Sequence, residues 1–417
     1  MDGKTSFRAD CDRIVRNSIA RVQPDAAVRR ALEGEDFSGG RLITVAVGKA
    51  AWAMAKAASE TPGVRMDGGI VITKYGHAQG PIPPLTIREA GHPVPDENSF
   101  AATAEALRLT AELREEDTVL FLLSGGGSAL FEKPLIEPEE LRAVTGQLLA
   151  SGADIVEINT VRKRLSAVKG GRFAEHCAPA RVFSVVLSDV LGDPLDSIAS
   201  GPACPDKSSC AEALAIAEKY GLTLSERAWN CLRRETPKSL GNASAKITGS
   251  VRELCAAAAD SCRALGYEPQ ILTDCLDCEA REAGRMLAAI ARSHRRTERP
   301  LAFLAGGETV VHVTGKGLGG RNQELALASA EGLDGMANAA VFSFGSDGTD
   351  GPTDAAGGFA DGGTAAAIRA RGRRISDALR DNDAYHALSS VGSLIVTGPT
   401  GTNVNDVAVL LLRPERG

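Results

Sequence analysis

Short aliphatic runs alternate along the chain with segments whose apolar residues recur at helical spacing. "RLITVAVGKAAWAMAKAA" (41–58) predicts a strand, a glycine and an alanine-rich helix, and "GGIVITKYGHAQGP" (68–81) a strand and a loop. "DTVLFLLSGGGSAL" (117–130) predicts a strand entering a glycine-rich loop, and "ARVFSVVLSDVLGDP" (180–194) a strand entering an acidic loop. Helical patterns over 98–115 and 138–151 fit between them. Strand and helix in alternation predict a mostly parallel sheet covered on both faces. The polar, turn-rich stretch 233–250 places a domain boundary near 240. Beyond it, "SVRELCAAAADSCRALGYEPQIL" predicts helix then strand, and "NQELALASAEGL" a helix. "RPLAFLAGGETVVHVTG" predicts two strands meeting at a glycine turn, and "SLIVTGPTGTNVNDVAVLLLRP" two strands joined by a turn. Short connections between adjacent strands favour a mixed sheet there. The predicted fold class is α/β: a Rossmann-like domain over 1–240 and a second α/β domain over 241–417.

Composition narrows the picture. At 417 residues the chain has room for two domains or three. The formal charge of −6 speaks against a general nucleic-acid surface. No apolar run approaches the roughly 18–20 residues a membrane span needs. The charged N-terminus carries Ile14, Val15, Ile19 and Val22 at helical spacing and lacks the apolar core of a signal peptide. A cytoplasmic protein is therefore expected. The nine cysteines are scattered, and the CxxC at Cys275 and Cys278 has no second pair to complete a zinc site, so reduced thiols are expected.

Candidate chemistry gathers at the ends of the predicted strands, where open α/β sheets bind their ligands. Lys49 follows "TVAVG", Ser124–Ser128 follows "LFLL", Asp189 follows "FSVVLS", Gly306–Glu308 follows "LAFLA" and Asp347 follows "VFSFGS". Backbone N–H groups of Ser124, Gly125, Gly126, Gly127 and Ser128 could face phosphate oxygens, or the glycines could serve a tight turn. A lysine at a strand-to-helix junction fits an anion between it and the helix start, or it is a solvated surface lysine. Asp189, Asp193 and Asp196 form one acidic loop, and Asp347, Asp350 and Asp354 another. Mg2+ takes one or two carboxylates with phosphates and water, although aspartates also serve turns and caps. The basic cluster 160–174 holds Arg164 and Lys169, either as a charged helix face or as partners of a carboxylate or phosphate. "GKGLGG" (315–320) matches a dinucleotide fingerprint in form. It can also be read as a turn presenting Arg321 and Asn322 to an anion.

Eight segments, in order, carry a resemblance: "AVGKAAWAMA", "AGHPVPDENS", "FLLSGGGSAL", "INTVRKRLSAVKGGRFA", "VLSDVLGDPLDSIASGP", "AGGETVVHVTGKGLGGRNQELAL", "GSDGTDGPTDAAGG" and "TGPTGTNVNDV". The chain resembles the glycerate 2-kinase family, whose C-terminal part is the MOFRL domain; some members carry a hydroxypyruvate reductase name. The resemblance implies two α/β domains with the active site in the cleft between them. It also implies transfer of phosphate from ATP to D-glycerate, with Mg2+, to give 2-phosphoglycerate. It carries the family's catalytic lysine onto Lys49 and its catalytic arginine onto Arg321.

On that reading Ser124–Ser128 and the strand end Gly306, Gly307 and Glu308 hold the nucleotide. Asp189, Asp193 and Asp347 attend the metal, and Arg164, Lys169 and Asn322 meet the substrate. Asp189 or Asp193 takes the C2 hydroxyl proton, and spacing does not choose between base and metal ligand. Rival classes are an NAD(P)H-dependent hydroxypyruvate reductase and a non-catalytic sugar-acid or nucleotide binder. A homodimer stays open, because the residues do not fix the oligomeric state.

Overall fold

In the first unit, Pro24–Thr248, six strands make one sheet. They are β1 (Leu42–Val47), β2 (Gly68–Lys74), β3 (Thr86–Ala90), β4 (Thr118–Leu123), β5 (Arg181–Leu187) and β6 (Ala243–Gly249). Their order is β3-β2-β1-β4-β5-β6, and β1 to β5 pair in parallel. Every residue of β1 and β4 is buried, as expected of parallel strands covered on both sides. Alternation divides them between two cores. Val45, Val47, Val119, Phe121, Val182 and Val186 pack on one face, and Leu42, Ala46, Leu120, Leu122, Phe183 and Val185 on the other. The structure is a computed structural model and describes residues 6–415.

The chain runs from β1 outward through β2 to β3, then returns to β4 and runs the opposite way to β6. The direction reverses between β1 and β4. In doubly wound sheets the crevice beyond the carboxyl ends of such a pair is where ligands bind.

The second unit comprises the chain up to Gln23 together with the chain from Gly249 onward. Its strands are β7 (Glu268–Leu276), β8 (Leu301–Gly307), β9 (Ala339–Gly345), β10 (Gly357–Asp361), β11 (Leu394–Ile395) and β12 (Asp406–Leu412). They lie in the order β11-β10-β9-β12-β8-β7; β7 and β8 are parallel and the other pairs antiparallel. The mixed sheet is as expected, but two details differ from the sequence reading. Residues 309–320 form no strand, because both edges of β8 are already taken by β7 and β12. Strands β11 and β12 are not a hairpin: β11 sits at the sheet edge on β10, and β12 enters the centre between β8 and β9.

By sequence position the first helix, Phe7–Arg21, is expected with the N-terminal domain; by contact it belongs with the C-terminal residues. Buried Asp10 explains this. Its Oδ2 accepts from Arg413 Nη2 and from Tyr267 Oη, both at 2.6 Å, and Asn17 donates to Ser261.

Candidate functional site

The loops after β1 and β4 are knitted together at the point of reversal. Ser124 N–H donates to Val47 O, Lys49 N–H donates to Gly125 O at 2.9 Å, and Ala50 N–H donates to Ser124 Oγ at 3.1 Å. A Cβ on Gly48 would collide with Ser124, and one on Gly125 with the Asp189 carboxylate. Gly126 has φ of +88°, a left-handed turn that suits glycine. The glycines of this loop thus bring the ends of β1, β4 and β5 together. Gathered there are Lys49, Ser124, Gly125, Gly126 and Asp189. Behind them a Cβ on Gly127 would press on Ala199, and Ser128 Oγ lies 3.3 Å from Ser200 Oγ, which donates to Asn159. Among the described residues Lys49 Nζ has no ion-pair or hydrogen-bond partner.

The acidic loop after β5 turns through Asp193, a non-glycine residue with φ of +52°, whose buried Oδ1 has no hydrogen bond among the described residues. A buried carboxylate oxygen without a donor fits a cation. Asp193 is therefore the carboxylate of this loop with an oxygen open to a cation such as Mg2+. Among the described residues, no three metal-type side chains cluster.

The basic cluster behaves differently from expectation. The helix Ile155–Arg164 is capped by Asp154 and Glu157, which sets its phase so that Lys163 and Arg164 turn inward. Arg164 is fully buried; it donates to Thr160 O, Ser208 O and Oγ, and Glu235. Lys169 is fully buried as well. Its Nζ donates to Ser128 O (2.9 Å) and Phe131 O (3.0 Å) and lies 2.9 Å from Glu132 Oε2. Burial pulls its pKa down against the pull of Glu132. Both side chains are turned into the protein, and the one donor left over, the Arg164 Nε–H, is itself buried. Lys169 is instead a strut beneath the turn Gly127–Leu130.

In the second unit Arg321 opens the helix Arg321–Leu333, beside the ends of β8 and β9 and the start of β12. Its Nε and Nη2 donate to Asp406 at 2.5 and 3.3 Å, and its Nη1 donates to Glu308 at 2.7 Å. Burial opposes the charged guanidinium, but the bonds and charges of Asp406 and Glu308 outweigh it and raise its pKa. Asn405 Nδ2 holds the second oxygen of Glu308. Three of the guanidinium's five N–H donors are thereby used, and two remain. Asp347 Oδ1 accepts from Thr349 N–H within its own turn.

Gly306, Gly307 and Asn322 are not placed for a ligand. A Cβ on Gly306 would strike Cys255 and Val251, and one on Gly307 the Leu276 backbone, so these glycines serve packing. Asn322 is buried, accepting from Ser343 and reaching Asp350. The GKGLGG segment is also explained by packing. Gly315 and Gly317 lie against Asp381–Asp383, and Gly320 against Asp350. Asp350 accepts the Asn322 and Gln323 N–H groups at 3.1 and 2.8 Å, filling the helix start a pyrophosphate would use. Burial, opposed by those two bonds, pushes Asp350 up to about 7. The sequence reading assigned nothing to Asp406, Asn405 or His92. Their signal lay in "NVNDV" and "AGHPVP", two motifs of the resemblance that have no obvious chemistry.

Comparison with known proteins agrees with this architecture. Residues 10–233 match a family described as a domain of unknown function, and residues 301–406 match the MOFRL family. The chain is 53% identical to a D-glycerate 2-kinase of Thermotoga maritima, over 96% of this chain and 97% of that protein. It is 39% identical to a glycerate 2-kinase of Pyrococcus horikoshii, over 100% of this chain and 96% of that one. The crystal structure of a glycerate kinase from Thermotoga maritima superposes with a TM-score of 0.93 at 52% identity, covering 98% of this chain and 99% of that one.

Proposed function

Because the chain belongs to the glycerate 2-kinase family, we propose that it transfers the γ-phosphoryl group of ATP to the C2 hydroxyl of D-glycerate, giving 2-phosphoglycerate and ADP. The observation that carries this is 53% identity, over nearly the whole of both chains, to a D-glycerate 2-kinase. Phosphoryl transfer asks a protein mainly to position groups and neutralise charge. In the first unit, the backbone and stem of Lys49 lie against Gly125 and Gly126 and its ammonium has no partner among the described residues, an arrangement suited to phosphate oxygens. Asp189 and Asp193 would hold Mg2+, which supplies charge neutralisation on the phosphates when bound. In the second unit, Arg321 is fixed by two carboxylates with two N–H donors left, as suits a group that stabilises developing negative charge. No helix among the described residues is long and apolar enough to cross a membrane, and the cytoplasm is the proposed compartment.

The test is incubation with Mg-ATP and D-glycerate, followed by phosphorus NMR of the product. The expected result is 2-phosphoglycerate with stoichiometric ADP. Formation of 3-phosphoglycerate, or ATP left intact by folded protein, overturns the reading. Chelation of Mg2+ with EDTA is expected to abolish turnover.

A further inference from the structure

His92 reaches the glycine loop from the segment after β3. A Cβ built on Gly126 would lie 3.0 Å from His92 Cδ2, 3.1 Å from its Nε2, and 3.4 Å from Lys49 Cγ. The imidazole edge and the lysine stem therefore flank the same bare stretch of backbone. Other basic groups adjoin them. His77 Nδ1 sits 3.0 Å from the Lys49 carbonyl, and Lys74 ends β2. Burial, then the charges of Lys49, Lys74 and His77, depress the His92 pKa, so the ring stays neutral near pH 7.

His92 is half-buried, and among the described residues neither ring nitrogen has a hydrogen bond. A neutral imidazole offers one N–H donor and one acceptor. The charged groups acting on it are cations, so the complementary ligand atom is an oxyanion.

We propose that His92 is a substrate-contacting residue whose ring N–H donates to an oxyanion held beside Lys49 and the Gly125–Gly126 amides. That oxyanion is a nucleotide phosphate or the carboxylate of the acid. The inference rests on the assignment of this loop as the phosphotransfer site. It also supplies a substrate-facing donor where Arg164 and Lys169 are committed elsewhere.

The test compares wild type with His92→Phe, which fills the space over Gly126 without a donor, and His92→Gln, whose amide restores one. ADP and D-glycerate binding are measured separately by calorimetry, and both KM values by steady-state kinetics. In the Phe variant one ligand is expected to weaken about ten-fold or more, the scale of a hydrogen bond to a charged group. The Gln variant should recover most of that loss. Weakened ADP binding identifies a phosphate; weakened glycerate binding with ADP unchanged identifies the carboxylate. Phe and Gln variants that match each other, or that both bind like wild type while folded by circular dichroism, overturn the proposal. Wild type that binds ADP without phosphorylating glycerate overturns the reaction reading alone. Wild type that binds neither ligand overturns both.

Discussion

Lys49 stands at a strand end with no counter-charge among the described residues, whereas Arg321 is gripped by Asp406 and Glu308. The two cations call for different substitutions. Lys49→Ala removes a lone charge and should lower kcat on the order of 10²–10³-fold with little change in Tm. Arg321→Lys keeps the charge but cannot bridge two carboxylates in a planar fork. It should therefore lose activity on a similar scale, as single-turnover kinetics would show. Near-wild-type turnover in either folded variant would remove that residue from the mechanism. That Lys49 and the glycine loop stand at neighbouring strand ends was legible in the sequence, because the apolar runs that stop at them mark where the strands finish. Arg164 and Lys169 were misread because burial is invisible along the chain. Their spacing is the same whether a cation faces solvent or a carbonyl; the inward phase of the helix Ile155–Arg164 settles it for Arg164, and the carbonyls of Ser128 and Phe131 settle it for Lys169.

Elements are held in place here by charged groups acting on backbone. Lys169 grips the carbonyls of Ser128, within the short helical turn Gly127–Leu130, and of Phe131, just after it. Lys169→Met would leave Glu132 buried without its counter-ion, at a cost of about 3–5 kcal/mol. The double variant Lys169→Met/Glu132→Leu should recover part of that, as chemical denaturation would reveal. Asp350 performs a comparable task at the start of the helix Arg321–Leu333. Its folded pKa of about 7 lies above the unfolded value, so the proton is held more tightly in the native state. Its contribution is fully present below about pH 4 and is lost as pH rises through about 7. The Tm advantage of wild type over Asp350→Asn should therefore shrink as pH rises across that window. A constant or growing advantage would contradict the assignment. Segment 309–320 resisted sequence reading for another reason. "ETVVHVTG" has the residues of a strand, but β8, which it follows, already has a neighbour on each side. Asn382 instead binds the Thr314 and Gly315 amides and holds the segment as a loop.

At the scale of the molecule, the strand pattern was enough to foresee a parallel sheet followed by a mixed one, because period and run length survive in the sequence. The allocation of the first helix was not foreseen. Helical spacing shows that Ile14, Val15 and Ile19 need a partner surface, but not which one. The deciding residue, Asp10, finds Arg413 across 403 positions of chain. Asp10→Ala should strip Arg413 of its carboxylate and loosen the C-terminal residues. Hydrogen exchange should report this as faster exchange in β12 and the helix Val251–Ala264, with little change in β1 or β4. Uniform acceleration across both sheets would argue against the division into units.

There is a consequence for birth on the ribosome. The helix Phe7–Arg21 emerges well before the helix Val251–Ala264 it packs against, so its oily stripe waits uncovered while the whole first unit is made. At translation speeds of about 5–20 residues per second that wait is roughly 10–50 s, long enough for a nascent-chain chaperone to bind.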